Sequence, residues 1–299
     1  MAASGVPVVV DTLSDEDRVL LGADLSDALA AASFQALGHP IERERLSIEL
    51  RRAAHRAHSF EARRRQLLSA AGIDTPRPKV SVLLVTNRPD FIDHAVSQVQ
   101  RQTYPHLELV VALHGVAHPV DLVFEGDLHV ISVPETVPFG EALNRAVAVS
   151  SGSLISKMDD DDWYSPDHLW DLVLAHAYSG ATLVGKGAEF VYLAQLDRTI
   201  RRFVGGAESN STTLGGGALL VARHDLDSLG GWRRIPRSVD RALIDDVVAR
   251  GGTVYRTHGF GYLLHRRPGG HTWDQEDSYF LDQAEARWDG LDLDAAGVG

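Results

Sequence analysis

From Lys79 onward the chain alternates between apolar runs and amphipathic segments, and this alternation limits the folds open to it. Four runs have the length of strands covered on both faces: 80–86, 107–115, 128–134 and 153–159. Three segments carry apolar residues at helical spacing: 89–102, 139–152 and 165–180. Strands that alternate with helices predict an α/β fold with a central, mainly parallel sheet.

The parts of the chain on either side of this region differ from it in composition and hydrophobic pattern. Residues 1–75 are rich in helix formers, above all in LSIELRRAAHRAHSFEARRRQLLSAAGI, and TPRP (75–78) reads as a linker. Beyond 180 the alternation loosens into further strands (181–193, 199–204, 217–223 and 253–267) and one helix (237–252). We therefore expect a helical N-terminal appendage with its linker (1–78), a main domain (79–280) and a C-terminal tail (281–299).

Composition excludes several classes of protein. A net charge of −12 over 299 residues argues against nucleic-acid binding, which needs a basic surface. The absence of cysteine excludes disulfides and thiolate metal sites. No apolar run is long enough to span a bilayer, and the N-terminus lacks the pattern of a signal peptide, so we expect a cytoplasmic protein. Contact with the inner face of the membrane and oligomer formation are left open.

Four consecutive aspartates, Asp159 to Asp162, follow the fourth predicted strand. In open α/β sheets, ligands bind at the carboxyl ends of strands, so the run falls where a ligand is expected. Adjacent carboxylates suit hard cations such as Mn²⁺ or Mg²⁺. The alternative is an acidic turn at a helix N-terminus, where negative charges interact favourably with the helix dipole.

The sequence excludes a calcium loop of the EF-hand type, because Tyr164 and Trp170 stand where that loop needs glycine and glutamate. A phosphatase that forms an aspartyl-phosphate is disfavoured by Trp163, and a metal shared with a nucleoside diphosphate is the third interpretation.

Five segments in order support that third interpretation: VSVLLVTNRPDFI, QRQTYPHLELVVALHG, GEALNRAVAVSSGSLISKMDDDDWYSPDHL, GGGALLVARHDLDSLGGW and SVDRALIDDVVARGG. Together they resemble family-2 glycosyltransferases of the GT-A fold over roughly residues 79–275. The resemblance implies a fold of the kind that binds nucleoside-diphosphate sugars, with an Asp-x-Asp element that binds metal and nucleotide.

The resemblance also implies roles for individual residues. Asp161 would bind the metal, and Asp159 would hold the ribose or a metal-bound water, with Asp160 beside it. Further nucleotide-sugar contacts are expected from Thr86, Asn87, Arg88, Asn144 and Lys157. The second strand ends in Leu113 and His114, where the family usually has paired aspartates, so we expect His114 to contact the nucleotide instead.

The second half of the chain supplies the remaining groups. Inverting transfer needs a carboxylate near the acceptor hydroxyl, and Asp240 matches the family's catalytic base, although an acid in a first helical turn also serves the helix dipole. The family often adds a histidine to the metal, for which we expect His271, with His265 as the alternative. Arg266 and Arg267 are candidates to pair with the diphosphate.

These observations predict a metal-dependent, inverting glycosyltransferase that moves a sugar from a nucleoside-diphosphate sugar to an acceptor hydroxyl on a glycan, lipid-linked or small-molecule acceptor. Two alternatives stay open. A nucleotidyltransferase on a related scaffold would need a glycine-rich loop after the first strand, and TNRPDF has no glycine. A non-catalytic protein that binds nucleotide sugars would need no Asp240.

Overall fold

The four apolar runs form neighbouring strands in the computed structural model of the chain, which describes residues 4, 6, 9–10, 12–32, 38–117, 122–267 and 276–299. These strands are β1 (Val80–Thr86), β2 (Leu107–His114), β3 (Asp127–Val133) and β4 (Leu154–Met158). They pair in parallel in the order β3-β2-β1-β4. Each bound lies within one residue of the predicted one, because these apolar runs end at polar or turn-forming residues.

The large sheet continues past β4 to eight strands. The added strands are β6 (Leu183–Lys186), β9 (Ser209–Asn210), β10 (Ala218–Ala222) and β11 (Val254–Thr257), and the full order is β3-β2-β1-β4-β10-β6-β11-β9. β10 runs antiparallel to both β4 and β6, whereas β11 is parallel to β6. The predicted α/β class with a mainly parallel central sheet is confirmed.

Helices cover both faces of this sheet. Alternate residues of β1 and β2 point to opposite faces, as the pleat requires. Val82 and Leu109 share one core cluster with α5 (Ile92–Gln100) and α7 (His168–Ser179). Leu83 and Val110 belong to a second cluster with α6 (Phe139–Val149) and α9 (Val239–Ala249). The inner strands β1, β2, β4 and β10 are therefore buried on both faces along most of their length.

A second sheet of five strands was not predicted. It consists of β5 (Trp163–Tyr164), β7 (Phe190–Leu193), β8 (Arg198–Arg202), β12 (Tyr262–Arg266) and β13 (Ala284–Asp289), in the order β13-β8-β7-β12-β5. The predicted strands 181–193 and 253–267 each divide between the two sheets. Residues 281–299, predicted as a tail, contain β13, which pairs with β8, and the short helix α11 (Leu293–Ala296). Two further short helices are α8 (Arg223–Leu229) and α10 (Asp277–Leu281).

Residues 1–77 form a separate helical unit, and residues 78–299 form the second unit. The first contains α1 (Asp15–Leu21), α2 (Ala23–Ala31), α3 (Pro40–His58) and α4 (Phe60–Ala70). Leu25, Leu29, Leu46 and Leu50 make its core. The stretch rich in helix formers that begins at Leu46 is divided at Ser59, whose side chain accepts a hydrogen bond from the Ala62 amide and so starts a new helix. Among the helices that the structure describes, none has the length and apolar character needed to cross a membrane.

Candidate active site at the ends of β1 and β4

The aspartate run lies at the point where the strand order of the large sheet reverses. β2 and β3 follow β1 on one side, and β4 lies on its other side. Thr86 ends β1, and the run begins directly after β4, so the two loops leave neighbouring parallel strands at the same edge. Such a switch point is where open α/β sheets bind their ligands.

Asp160 joins the two loops. Its carboxylate accepts hydrogen bonds from the Thr86 hydroxyl and from both Nε (3.0 Å) and Nη2 of Arg88. The Thr86 hydroxyl oxygen also accepts the Arg88 amide at 3.0 Å. Of the residues expected to bind nucleotide, Thr86, Arg88 and Asp160 therefore lie in one network, while Asn87 between them is exposed.

Asp161 lies beneath two guanidinium groups and is only 8% exposed. Its Oδ2 accepts Nη1 of Arg88 at 2.9 Å, and Nε and Nη2 of Arg267 lie 3.2 and 3.1 Å from the same oxygen. Arg267 follows β12, so this contact links the second sheet to the aspartate run.

Asp162 is the supporting member of the run. Oδ2 accepts the Tyr262 hydroxyl and Oδ1 accepts the His265 backbone amide, each at 2.9 Å. Burial, together with the neighbouring charges of Asp161 and Asp159, raises the pKa of Asp162 well above its usual value. This carboxyl group fixes the loop to β12.

Asp159 is the most open of the four, with 35% of its side chain exposed. Its Oδ1 accepts Lys157 Nζ at 2.6 Å, and its backbone N–H donates to the Tyr164 hydroxyl at 2.7 Å. The Tyr164 hydroxyl in turn donates to the Gly217 carbonyl, so Tyr164 anchors the aspartate loop against the start of β10.

Asp240 reaches the same place from the first turn of α9. Its Oδ1 lies 3.5 Å from Lys157 Nζ, and its carboxylate packs directly on Gly216, where any β-carbon would overlap Oδ2. The pKa of Asp240 is raised to about 6, mainly by burial; the charge of Lys157 opposes this shift and the charge of Asp159 adds to it. For Lys157, burial alone would lower the pKa, but the charges of Asp159 and Asp240 outweigh it and hold the pKa above its usual value.

Three other candidates direct their side chains to partners outside this cluster. Both ends of the Asn144 amide bond the Trp232 backbone, at 2.9 and 2.8 Å. His114 bonds the Val137 carbonyl through Nε2 at 2.7 Å. The ring of His265 packs 4.8 Å from that of Trp163, and His271 lies outside the described residues.

Several residues of this site were not identified from the sequence. Gly216 and Gly217 allow Asp240, Asp159 and Asp162 to approach the backbone before β10, since a β-carbon at Gly217 would lie 2.8 Å from Asp162 Oδ2 and 2.9 Å from Asp159 Oδ2. Consecutive glycines ahead of a strand were the available signal for such a close approach. The contact between Lys157 and Asp240 had no such signal.

A divalent cation fits the donor chemistry of the run, because carboxylate oxygens suit Mn²⁺ and Mg²⁺. Asp161 and the more open Asp159 are the residues that would hold it. Within the described parts of the chain, no three His, Asp or Glu side chains converge into a preformed metal site. Phosphate and water oxygens would then complete the coordination, as is common for Mg²⁺.

A family model described as glycosyl transferase family 2 matches residues 81–195. No curated protein matches the chain. Similar solved structures include mannosyltransferase PcManGT from Pyrobaculum calidifontis in complex with GDP-Man and Mn²⁺, with 19% identity and a TM-score of 0.47 over 63% of this chain and 57% of that one. Another is S. aureus TarS 1–349 in complex with UDP-GlcNAc, with 15% identity and a TM-score of 0.48 over 65% of this chain and 60% of that one.

The chain thus spans about three-fifths of the length of these two structures. The region matched by the family model runs from β1 to β7 and includes the whole aspartate run. The predicted resemblance to family-2 glycosyltransferases is therefore confirmed for residues 81–195, which match the model of that family.

Proposed function

We propose that the chain is a metal-dependent, inverting glycosyltransferase that transfers a sugar from a nucleoside-diphosphate sugar to an acceptor hydroxyl. The observation that carries this proposal is the meeting of Asp240 with Lys157 and Asp159 at the switch point of the sheet. A donor site needs polar groups at that edge, and glycosyl transfer adds the need for a carboxylate that can take a proton.

Asp240 has the properties of the general base. With a pKa of about 6 it is ionised at neutral pH, yet it is basic enough to accept the proton of the acceptor hydroxyl as that hydroxyl attacks the anomeric carbon. As the acceptor oxygen forms its bond to the anomeric carbon, the bond from that carbon to the diphosphate breaks and the hydroxyl proton passes to Asp240. Attack on the face opposite the leaving group inverts the anomeric centre.

The leaving diphosphate needs positive charge at the same edge. A divalent cation held by Asp161 and Asp159 would supply part of that charge. Arg88 and Arg267 carry guanidinium groups suited to phosphate oxygens, and both lie at this edge. We place the nucleoside beside the loop after β1, which contains Thr86 and Asn87 and which Asp160 contacts from the loop after β4. Asp162 holds that second loop in position.

The test is a binding experiment that needs no acceptor. A panel of nucleotide sugars is screened for thermal stabilisation of the chain with and without Mn²⁺, on the wild type and on Asp161→Ala. We expect at least one donor to raise the melting temperature in a manner that depends on Mn²⁺, and Asp161→Ala to lose that dependence. An intact fold that no donor stabilises would contradict the proposal.

A further inference from the structure

Two arginines converge on one carboxylate oxygen in this structure. Arg88 comes from the loop after β1 and Arg267 from the end of β12, and both donate to Oδ2 of Asp161. The oxygen expected to hold the divalent cation is therefore already in contact with two positive charges.

Phe91 supports this arrangement from one side. The central guanidinium carbon of Arg267 lies 4.3 Å from the centre of the Phe91 ring, and that of Arg88 lies 5.2 Å from it. Both distances fall within the range of a cation–π contact. The ring holds two like charges near each other, where they are poised for a partner with more than one negative charge.

The four side chains of this contact balance one another in charge. Asp160 and Asp161 carry two negative charges, and Arg88 and Arg267 carry two positive ones. A divalent cation entering alone would have to displace the guanidinium groups from Asp161 or bind beside them, and both are unfavourable. A diphosphate changes this balance, because its oxygens accept paired guanidinium N–H groups at least as well as a carboxylate does.

We propose that Arg88 and Arg267 keep Asp161 closed to the divalent cation until a diphosphate draws them away. Metal and diphosphate then bind cooperatively, since each removes an obstacle to the other. This inference rests on the proposed function, because it takes the donor to be a nucleoside-diphosphate sugar.

Arg267 is the residue to test. Arg88 also bonds Asp160 and reaches the Thr86 hydroxyl through its backbone, so its removal would disturb a buried carboxylate. Arg267→Gln removes one guanidinium from Asp161 and leaves that network in place. Arg198→Gln is the matched control, because Arg198 pairs with Asp289 on β13, away from Asp161, and its loss changes the net charge equally.

Isothermal titration calorimetry on the full chain measures the affinity for Mn²⁺ alone, and then the affinity for inorganic pyrophosphate in the presence of Mn²⁺. For Arg267→Gln we expect Mn²⁺ alone to bind about tenfold more tightly and pyrophosphate about tenfold more weakly, within the usual range of coupling between sites. Arg198→Gln should match the wild type in both titrations. Arg88→Lys, which keeps the charge but loses the paired donors, should also weaken pyrophosphate binding.

The opposite signs for the two ligands identify the mechanism. If Arg267→Gln binds Mn²⁺ as weakly as the wild type, or more weakly, the competition does not exist and the inference is wrong. The same holds if neither protein binds Mn²⁺ in either titration. Sugar transfer observed without metal would then support glycosyl transfer but contradict the proposed metal dependence. Loss of Mn²⁺ affinity together with a lowered melting temperature would show that Arg267 is structural, which also overturns the inference.

Discussion

The ammonium group of Lys157 lies 3.5 Å from Oδ1 of Asp240, and this contact joins the end of β4 to the start of α9. The same ammonium group bonds Asp159 at 2.6 Å and the Gly216 carbonyl at 2.8 Å, and its side chain is nearly buried. Lys157 therefore holds the proposed base beside the aspartate run and opposes the burial that raises the pKa of Asp240.

The pH dependence of turnover follows from this contact. A base with a pKa of about 6 is protonated in acid, so kcat/KM should fall as the pH drops through about 6. Lys157→Met removes the charge that lowers the pKa of Asp240, so the acidic limb should move to higher pH.

The matched control is Lys79→Met. Lys79 also bridges two carboxylates, Glu108 at 2.8 Å and Asp127 at 2.7 Å, but at the opposite end of β1. Its pH profile should coincide with that of the wild type. If the acidic limb of the pH profile does not move in Lys157→Met, Lys157 does not influence the pKa of the catalytic base.

Asp240→Asn should separate binding from turnover. The amide fills the same space beside Gly216 but cannot accept the proton, so kcat should fall roughly 10²- to 10⁴-fold while donor affinity is kept. A product assay measures the expected fall in kcat, and calorimetry measures the donor affinity, which should be unchanged. Normal turnover in this variant would mean that another group is the base.

Gly216→Ala should damage the site without removing a functional group. The new methyl group would overlap Oδ2 of Asp240 and displace that carboxylate, and misplacement of about 1 Å costs on the order of a hundredfold in rate. Gly38→Ala is the control, since a β-carbon there meets no neighbouring atom within 4 Å. Equal activity of the two variants would show that the position of Asp240 does not matter.

Asp162 gives a test based on stability. Asp162→Ala leaves the buried Tyr262 hydroxyl and the His265 amide without their acceptor, at a cost of about 2–4 kcal/mol in the free energy of unfolding. Asp162→Asn keeps an acceptor and resembles the protonated carboxyl that the raised pKa favours, so it should cost about 1 kcal/mol or less. Urea denaturation compares the two, and an equal loss would argue that Asp162 acts through its charge.

Local sequence patterns were sufficient for the large sheet. β1 to β4 were predicted almost to the residue, because each is a continuous apolar run between turn signals, and their order placed the aspartates at a ligand-binding edge. The second sheet was missed because its strands pair over long separations in the chain, as β8 does with β13. Periodicity in one segment does not reveal such a partner.

The candidate site was predictable in its residue types but not in its contacts. Asp159 to Asp162 and Asp240 were identified as separate motifs, and the fold brings Asp159 and Asp240 to the same lysine. The two guanidinium groups on Asp161 depend on a contact between the two sheets, which no spacing in the sequence encodes. Asn144 was expected at the nucleotide, but its amide bonds the backbone of Trp232, a contact that depends on the turn before α9.

Release of nucleoside diphosphate from a panel of nucleotide sugars tests the central proposal most directly. The chain is incubated with each donor and Mn²⁺, with and without simple glycoside acceptors, and the diphosphate is quantified beside Asp240→Asn as the matched blank. We predict release from at least one donor by the wild type and almost none by the variant. Failure of every donor that binds to release diphosphate, from a folded wild-type chain, would contradict glycosyl transfer and favour a protein that only binds nucleotide sugars.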